Sequence, residues 1–389
     1  MHARLVTLGL AMLVACAHAG CGAEETSSPA RVGRASSAVQ GGDVDTDHPY
    51  AVGVCGVSPG PGQCQLVCSG TLIAPNLVLT ARHCVDAATS QADCATATWT
   101  THLYTSPDQY YVTTGNQLYQ ATTGWHRVAT IHTPTGTTLC GGDLALLVLQ
   151  DLVPASEAVP ATPAIQFSLT DRAHTPSLSE TAIGYGVTSP NTASEGTRHR
   201  RSDIAIQCIP GDATIDCDPK LAFAGSAGEF LVGDGTCDGD SGSGAFEQAS
   251  FTAGKPVVLG ALSRGGVSVD GARCIGGVYT RLDGWKDFVV GVAAQAAPKG
   301  GYPAPDWTRP EAPADGGATD AGDAGPSPPP TSHGCAIARR SPSRGAEHYS
   351  SVPYEDLALG LAVWGLALGN CSRKRKKIRR AVGKKTRYC

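Results

Sequence analysis

The 389-residue chain is poor in aromatics (6%), poor in charge (16% Asp, Glu, Lys and Arg), and has only two methionines. So few charged residues beside 48 glycines and 26 prolines argue against a helical bundle. No apolar run reaches the ~20 residues of a comfortable membrane span. The runs Leu5–Val14 and Leu357–Leu368 both fall short. Basic residues are scarce outside the C-terminus: residues 372–389 hold ten Lys or Arg and no acid. The rest of the chain has 20 basic against 34 acidic residues, a net charge near −14. Nucleic-acid binding needs a basic face that displaces counterions, so no nucleic-acid partner is expected. The cysteines form no paired CxxC clusters, and neither a metal nor a cofactor is expected.

What is present fits a loop-rich, all-β domain joined to unstructured segments. Hydrophobic residues at 41% supply one sizeable core. Fifteen cysteines point to an oxidising compartment. Five of them (Cys16, Cys21, Cys335, Cys371 and Cys389) lie near the ends, and the other ten fall between Cys55 and Cys274.

Arg4 ahead of Leu5–Val14 reads as a signal peptide over residues 1–21. Leu13-Val14-Ala15-Cys16 and His18-Ala19-Gly20-Cys21 are shaped like lipoprotein boxes, while Ala17-His18-Ala19 suits ordinary cleavage; the sequence leaves both routes open. Residues 22–38 are small and polar, a propeptide or tether. From 39 to 297 short apolar runs, such as Thr71–Ile73, Leu77–Leu79, Leu144–Leu149, Val257–Leu262 and Gly277–Thr280, alternate with turn residues. Leu282, Trp285, Phe288, Val289 and Val292 are near helical spacing and predict a terminal helix. Residues 298–333, rich in Pro, Gly, Ala and Asp, read as a disordered linker. Residues 334–389 read as a sorting and anchoring tail, with hydrophobic segment 357–368 and a basic cluster after it. A plain hydrophobic tail with a solvated charge run is the bland alternative.

Three segments carry chemistry. A serine nucleophile needs a base within reach, the base needs an orienting partner, and the developing oxyanion needs preorganised N–H donors. Gly239-Asp240-Ser241-Gly242-Ser243 places glycines on both sides of Ser241, which permits a tight turn exposing the hydroxyl. Two strand-like runs around Pro75-Asn76 lead into Thr80-Ala81-Arg82-His83-Cys84, where a Cys68–Cys84 disulfide would fasten His83 to a rigid hairpin. Asp143 opens the apolar run Leu144–Leu149, and a buried carboxylate requires a partner. Each segment alone has a bland reading: a turn, a structural histidine beside a bridge, a strand start.

In the order His83, Asp143, Ser241, the chain resembles the chymotrypsin-like serine proteases of the trypsin superfamily. Val39-Gln40-Gly41-Gly42 resembles the family's activation terminus, and Gly277-Val278-Tyr279-Thr280-Arg281 also matches, so the likeness covers roughly 39–297. Arg82, Gln40 and Ser243 depart from the family pattern. The resemblance implies two six-stranded Greek-key β-barrels with a C-terminal helix. It implies a triad of Ser241, His83 and Asp143, with an oxyanion hole at the N–H groups of Gly239 and Ser241. Ser263 matches the serine supporting the aspartate, and Cys237 and Cys274 match the pair that brackets the specificity pocket. By register Gly235 forms the pocket base, with Ser263, Arg264, Gly265 and Gly277 around it. No acid stands at the base, which predicts apolar or aromatic side chains before the scissile bond. Proximity and elimination give the remaining pairs, Cys55–Cys64, Cys94–Cys140 and Cys208–Cys217.

The resemblance also implies a zymogen, in which Asp240 pairs with a new α-ammonium at Val39. Ala38 is not basic and Arg34 lies four residues earlier, so an activating protease other than a trypsin-like one, or self-cleavage, is expected. The tail resembles the sorting signals of myxobacterial surface proteins: Gly334-Cys335, a hydrophobic segment, then basic residues. The expected protein is thus secreted or on a bacterial cell surface, attached to the membrane through its termini, and acts on protein or peptide substrates. The rival reading is an inactive protease homologue serving as a surface binding module.

Overall fold

The computed structural model describes residues 39–56, 63–90, 93–215, 217 and 226–309. The expected signal peptide, propeptide and sorting tail lie outside the described residues, as does most of the linker. Six strands form the first barrel: β1 (Ala51–Gly56), β2 (Leu66–Ala74), β3 (Leu77–Thr80), β4 (Tyr110–Thr113), β5 (Trp125–His132) and β6 (Ala145–Leu149). Six more form the second: β7 (Ser179–Gly184), β8 (His199–Cys208), β9 (Glu229–Val232), β10 (Gly244–Glu247), β11 (Val257–Val267) and β12 (Cys274–Arg281).

The first barrel closes in the order β1-β2-β3-β6-β5-β4. The second repeats that order, β7-β8-β9-β12-β11-β10, and closes through β10 on β7. In each barrel the first four strands lie in the spatial order 4-1-2-3 of a Greek key. Closure removes the exposed edges that a flat sheet of such apolar strands would present. β3 and β6 are buried along their whole length. Leu72, Val78, Leu79, Val112, Val128 and Leu146 belong to the core built around the first barrel. Ala182, Ile204, Phe230, Val232, Leu259 and Tyr279 fill the second.

The β2–β3 hairpin shows how local sequence sets geometry. Thr71 pairs with Leu79 and Leu72 with Val78 across the Pro75-Asn76 turn, so β3 must deliver its last residue, Thr80, immediately before the His83 segment. Between the barrels, the fully buried Arg198 donates to the carbonyls of Ala51 (3.1 Å) and Thr114 (2.9 Å) in the first and contacts Asp45 at 3.3 Å.

The terminal helix, α1, runs Lys286–Gly300, and Val289, Val292, Ala293 and Ala296 pack into the first barrel's core, not the second's. The expected linker start at 298 is therefore too early. The helix continues to Gly300 and caps at Gly301 in left-handed conformation. Beyond it, Tyr302 Oη donates to Asn76 (2.6 Å) and Trp307 Nε1 to the Ile73 carbonyl (3.2 Å). The composition of this stretch is linker-like, but two aromatics suffice to pin it on the β2–β3 turn. Among the described residues, no helix is long and apolar enough to cross a membrane.

Candidate active site

The site lies where the barrels meet. His83 sits in a single turn of 3-10 helix, Arg82–Cys84, at the end of β3. The Cys68–Cys84 disulfide ties that turn to β2. Cys55–Cys64, Cys94–Cys140, Cys208–Cys217 and Cys237–Cys274 are also formed, so the pairings among all ten central cysteines agree with expectation.

Asp143 precedes β6 and is fully buried. Its Oδ2 lies 2.8 Å from His83 Nδ1, and its Oδ1 accepts the His83 backbone N–H at 2.9 Å. Ser263 Oγ donates to the same Oδ2 at 2.6 Å. Burial alone would drive His83 toward its neutral form, but the Asp143 charge and hydrogen bond outweigh it, and the imidazole pKa is raised. For Asp143 burial raises the pKa, yet the His83 charge and the bonds from His83 and Ser263 hold it below the ordinary carboxylate value. The ring is thereby fixed with Nδ1 toward the carboxylate and Nε2 left to act as a base.

Ser241 is held beside the turn that carries His83. Its carbonyl accepts the Ser69 N–H (2.7 Å) and lies 3.7 Å from Cys84 Sγ. Gly239 and Gly242 take φ of 89° and 82°. A Cβ on Gly239 would meet Gly186 Cα at 2.8 Å, and one on Gly242 would run into Thr80 and Ser69, so only glycine fits at either position. The N–H groups of Gly239 and Ser241 donate to no acceptor among the described residues. Two unengaged donors beside a serine suit a developing oxyanion.

Asp240 points the other way. It is fully buried, accepting from Gly186 N (2.8 Å) and Cys237 N (2.9 Å). Burial pushes its pKa up to about 7; the two N–H bonds oppose that and Asp238 adds to it. No cation among the described residues pairs with it. Val39 is also fully buried, in the second barrel's core, at φ 45°. Gln40 clamps the Cys274 backbone through 2.8 and 3.1 Å bonds.

The cleft beside Ser241 includes Thr236, Asp238, Arg264, Gly265 and Val267. Gly235 is buried against Ile204, whose Cδ1 a Cβ there would meet at 2.5 Å. Gly277 lies behind Thr236, and Ser263 turns its hydroxyl to Asp143. The β11–β12 ladder continues through Gly265 with Gly277, Gly266 with Ile275 and Val267 with Cys274. Ladder partners lie roughly 5 Å apart. These paired strands make one continuous wall, and the cleft lies between that wall and the segment Thr236–Asp238.

Three contributors escaped the sequence reading. Ser69 donates to the Gly239 carbonyl (3.0 Å) and accepts from Tyr185 N (2.9 Å), fastening the loop before Ser241. Gly186 supplies an anchor for Asp240. Glu229 forms a bidentate pair with Arg264 at 2.6 and 3.1 Å. A lone acid opening the apolar strand Glu229–Val232 was as visible a signal as Asp143 opening its own run. The departure at Arg82 has a structural role: it reaches Asp86 at 2.7 Å and lies 4.6 Å above Trp99. Cys68, His83 and Cys84 lie close enough to resemble a metal-ligand set, but the two sulfurs are bonded to each other and provide no thiolate.

A family model described as Trypsin matches residues 39–289. No curated protein matches the chain.

Proposed function

Because the chain belongs to the trypsin family of serine proteases, we propose that it is an exported endopeptidase cutting peptide bonds through Ser241, His83 and Asp143. The observation that carries this reading is the bonded series Ser263–Asp143–His83 beside a serine flanked by two unengaged N–H donors. In the reaction, Ser241 Oγ bonds to the peptide carbonyl carbon while His83 Nε2 takes the hydroxyl proton. Gly239 and Ser241 N–H groups hold the oxyanion, His83 returns the proton to the leaving amine, and water then releases the acyl group by the same route. Five disulfides fit an oxidising compartment. The test is intact mass after a serine-directed fluorophosphonate: one adduct is expected on wild type and none on Ser241→Ala. An activated wild-type chain that takes up no adduct would favour the binding homologue instead.

Activation proceeds by cutting between Ala38 and Val39. The new ammonium at Val39 would neutralise buried Asp240, and the cut frees a β-branched residue from a positive φ, worth roughly 1–2 kcal/mol. Chains still extended beyond Val39 are expected to label at least ~100-fold more slowly than chains trimmed to it, the order of losing the oxyanion donors that the pair would order. Asp240→Asn is expected to keep the slow rate after trimming. A fully active chain beginning at Ala35 would refute this order of events.

No acid stands at Gly235, the expected base of the pocket, which favours apolar or aromatic side chains before the scissile bond. Profiling on a peptide library should show these preferred over Arg and Lys by about 100-fold, the scale of a charge that a pocket leaves unpaired. A strict Arg or Lys preference would overturn this reading.

A further inference from the structure

We infer that Glu229 and Arg264 are positioning residues, forming a charge-paired brace that the second barrel extends to hold Asp143 against His83. Glu229 is 1% exposed and the Arg264 side chain 9%. Glu229 Oε1 accepts Arg264 Nη1 (2.6 Å) and the Gly141 N–H (2.9 Å); Oε2 accepts Arg264 Nη2 (3.1 Å) and the Ser226 N–H (3.0 Å). A buried ion pair is tolerable only when its remaining hydrogen-bond capacity is filled, and these four bonds fill both oxygens.

Two routes connect the brace to Asp143. The first is backbone: Gly141 lies two residues before Asp143, at φ 71°, with its N–H on Glu229 and its carbonyl accepting Trp285 Nε1 at 2.9 Å. The second is electrostatic: Arg264 Nη1 lies 3.4 Å from Ser263 Oγ, whose own proton goes to Asp143 Oδ2 at 2.6 Å. A pair that served only the second barrel's core would have no reason to take hold of a loop from the first.

The brace is neutral as a pair, so each half should move His83 in the opposite direction. The other charges around the site are Asp143 itself, the Arg82–Asp86–His102 cluster on the His83 side, and Asp240 beneath Ser241. Glu229→Gln leaves Arg264 positive beside Asp143 and disfavours the imidazolium. Arg264→Gln leaves Glu229 negative and favours it. The double variant restores neutrality.

The experiment is an NMR titration of the His83 ring in the full chain, assigned by its loss in His83→Ala. It needs no turnover, so failure of the brace is distinguishable from failure of the protease reading on which it rests. Glu229→Gln is expected to lower the His83 midpoint and Arg264→Gln to raise it, each by roughly half a unit or more, with the double variant close to wild type. No shift, or shifts of the same sign, would overturn the proposal. If a single variant does not fold, the double variant decides: its kcat per titrated active site should fall about tenfold with KM within twofold, the cost of a misplaced orienting group. A kcat equal to wild type would overturn it.

Discussion

Ser241→Ala should lower kcat by about 10⁶-fold in the activated chain while leaving KM for a peptide ester within a few-fold, because it removes the atom that bonds to substrate. The surrounding loop should persist without the hydroxyl. Ser241 is held by its backbone, through its carbonyl to Ser69 N–H and through Gly242 N–H to the Leu262 carbonyl at 2.8 Å. The check is steady-state kinetics on matched samples, each trimmed to Val39 and each with the melting temperature of wild type. A loss below about a hundredfold would point to a nucleophile other than Ser241, since binding and the oxyanion donors account for only ~10³–10⁴ of rate.

Asp143→Asn should cost about 10⁴-fold in kcat near neutral pH, through tautomer and charge and not through shape. With its oxygen in the Oδ1 place the amide still accepts the His83 backbone N–H, while Ser263 Oγ, which donated to Oδ2, accepts from the NH₂ that takes that place. The amide can also present its NH₂ to His83 Nδ1, which forces the proton onto Nε2, where a base cannot be protonated again. The pH dependence follows from the same pair. His83 must be neutral to accept the Ser241 proton, and Asp143 raises its pKa above the ordinary 6.5. Wild-type kcat/KM should therefore fall as pH drops through a midpoint above 6.5, with activity full on the alkaline side. In Asp143→Asn the charge that opposed burial is gone, so the residual activity should titrate at a lower pH than wild type. A midpoint unmoved by the substitution would mean that another group sets the acid limb.

Arg264 marks the division between what was legible and what was not. Register sets it beside the pocket, but the sequence could not place Glu229, thirty-five residues earlier, within 2.6 Å of it. Motif register sets Gly235 and Gly277 along their strands, but it does not tell that Gly235 packs on Ile204 or that Gly277 lies behind Thr236. The stretch 298–309 has a linker's composition and is nonetheless bound, because Tyr302 and Trp307 find acceptors on a hairpin more than two hundred residues away.

The sequence by itself determined the kind of protein: the strand-and-turn punctuation, the even set of central cysteines, and three short motifs in one order. These features are local. A glycine at positive φ, a serine between glycines, or an acid opening an apolar run announces itself within a few residues. Tertiary structure alone decided how wide the cleft beside Ser241 is, that Asp240 is buried with no paired cation among the described residues, and what supports Asp143 beyond Ser263. Those depend on distances between segments far apart in the chain, and the order of residues does not encode such distances in any local pattern.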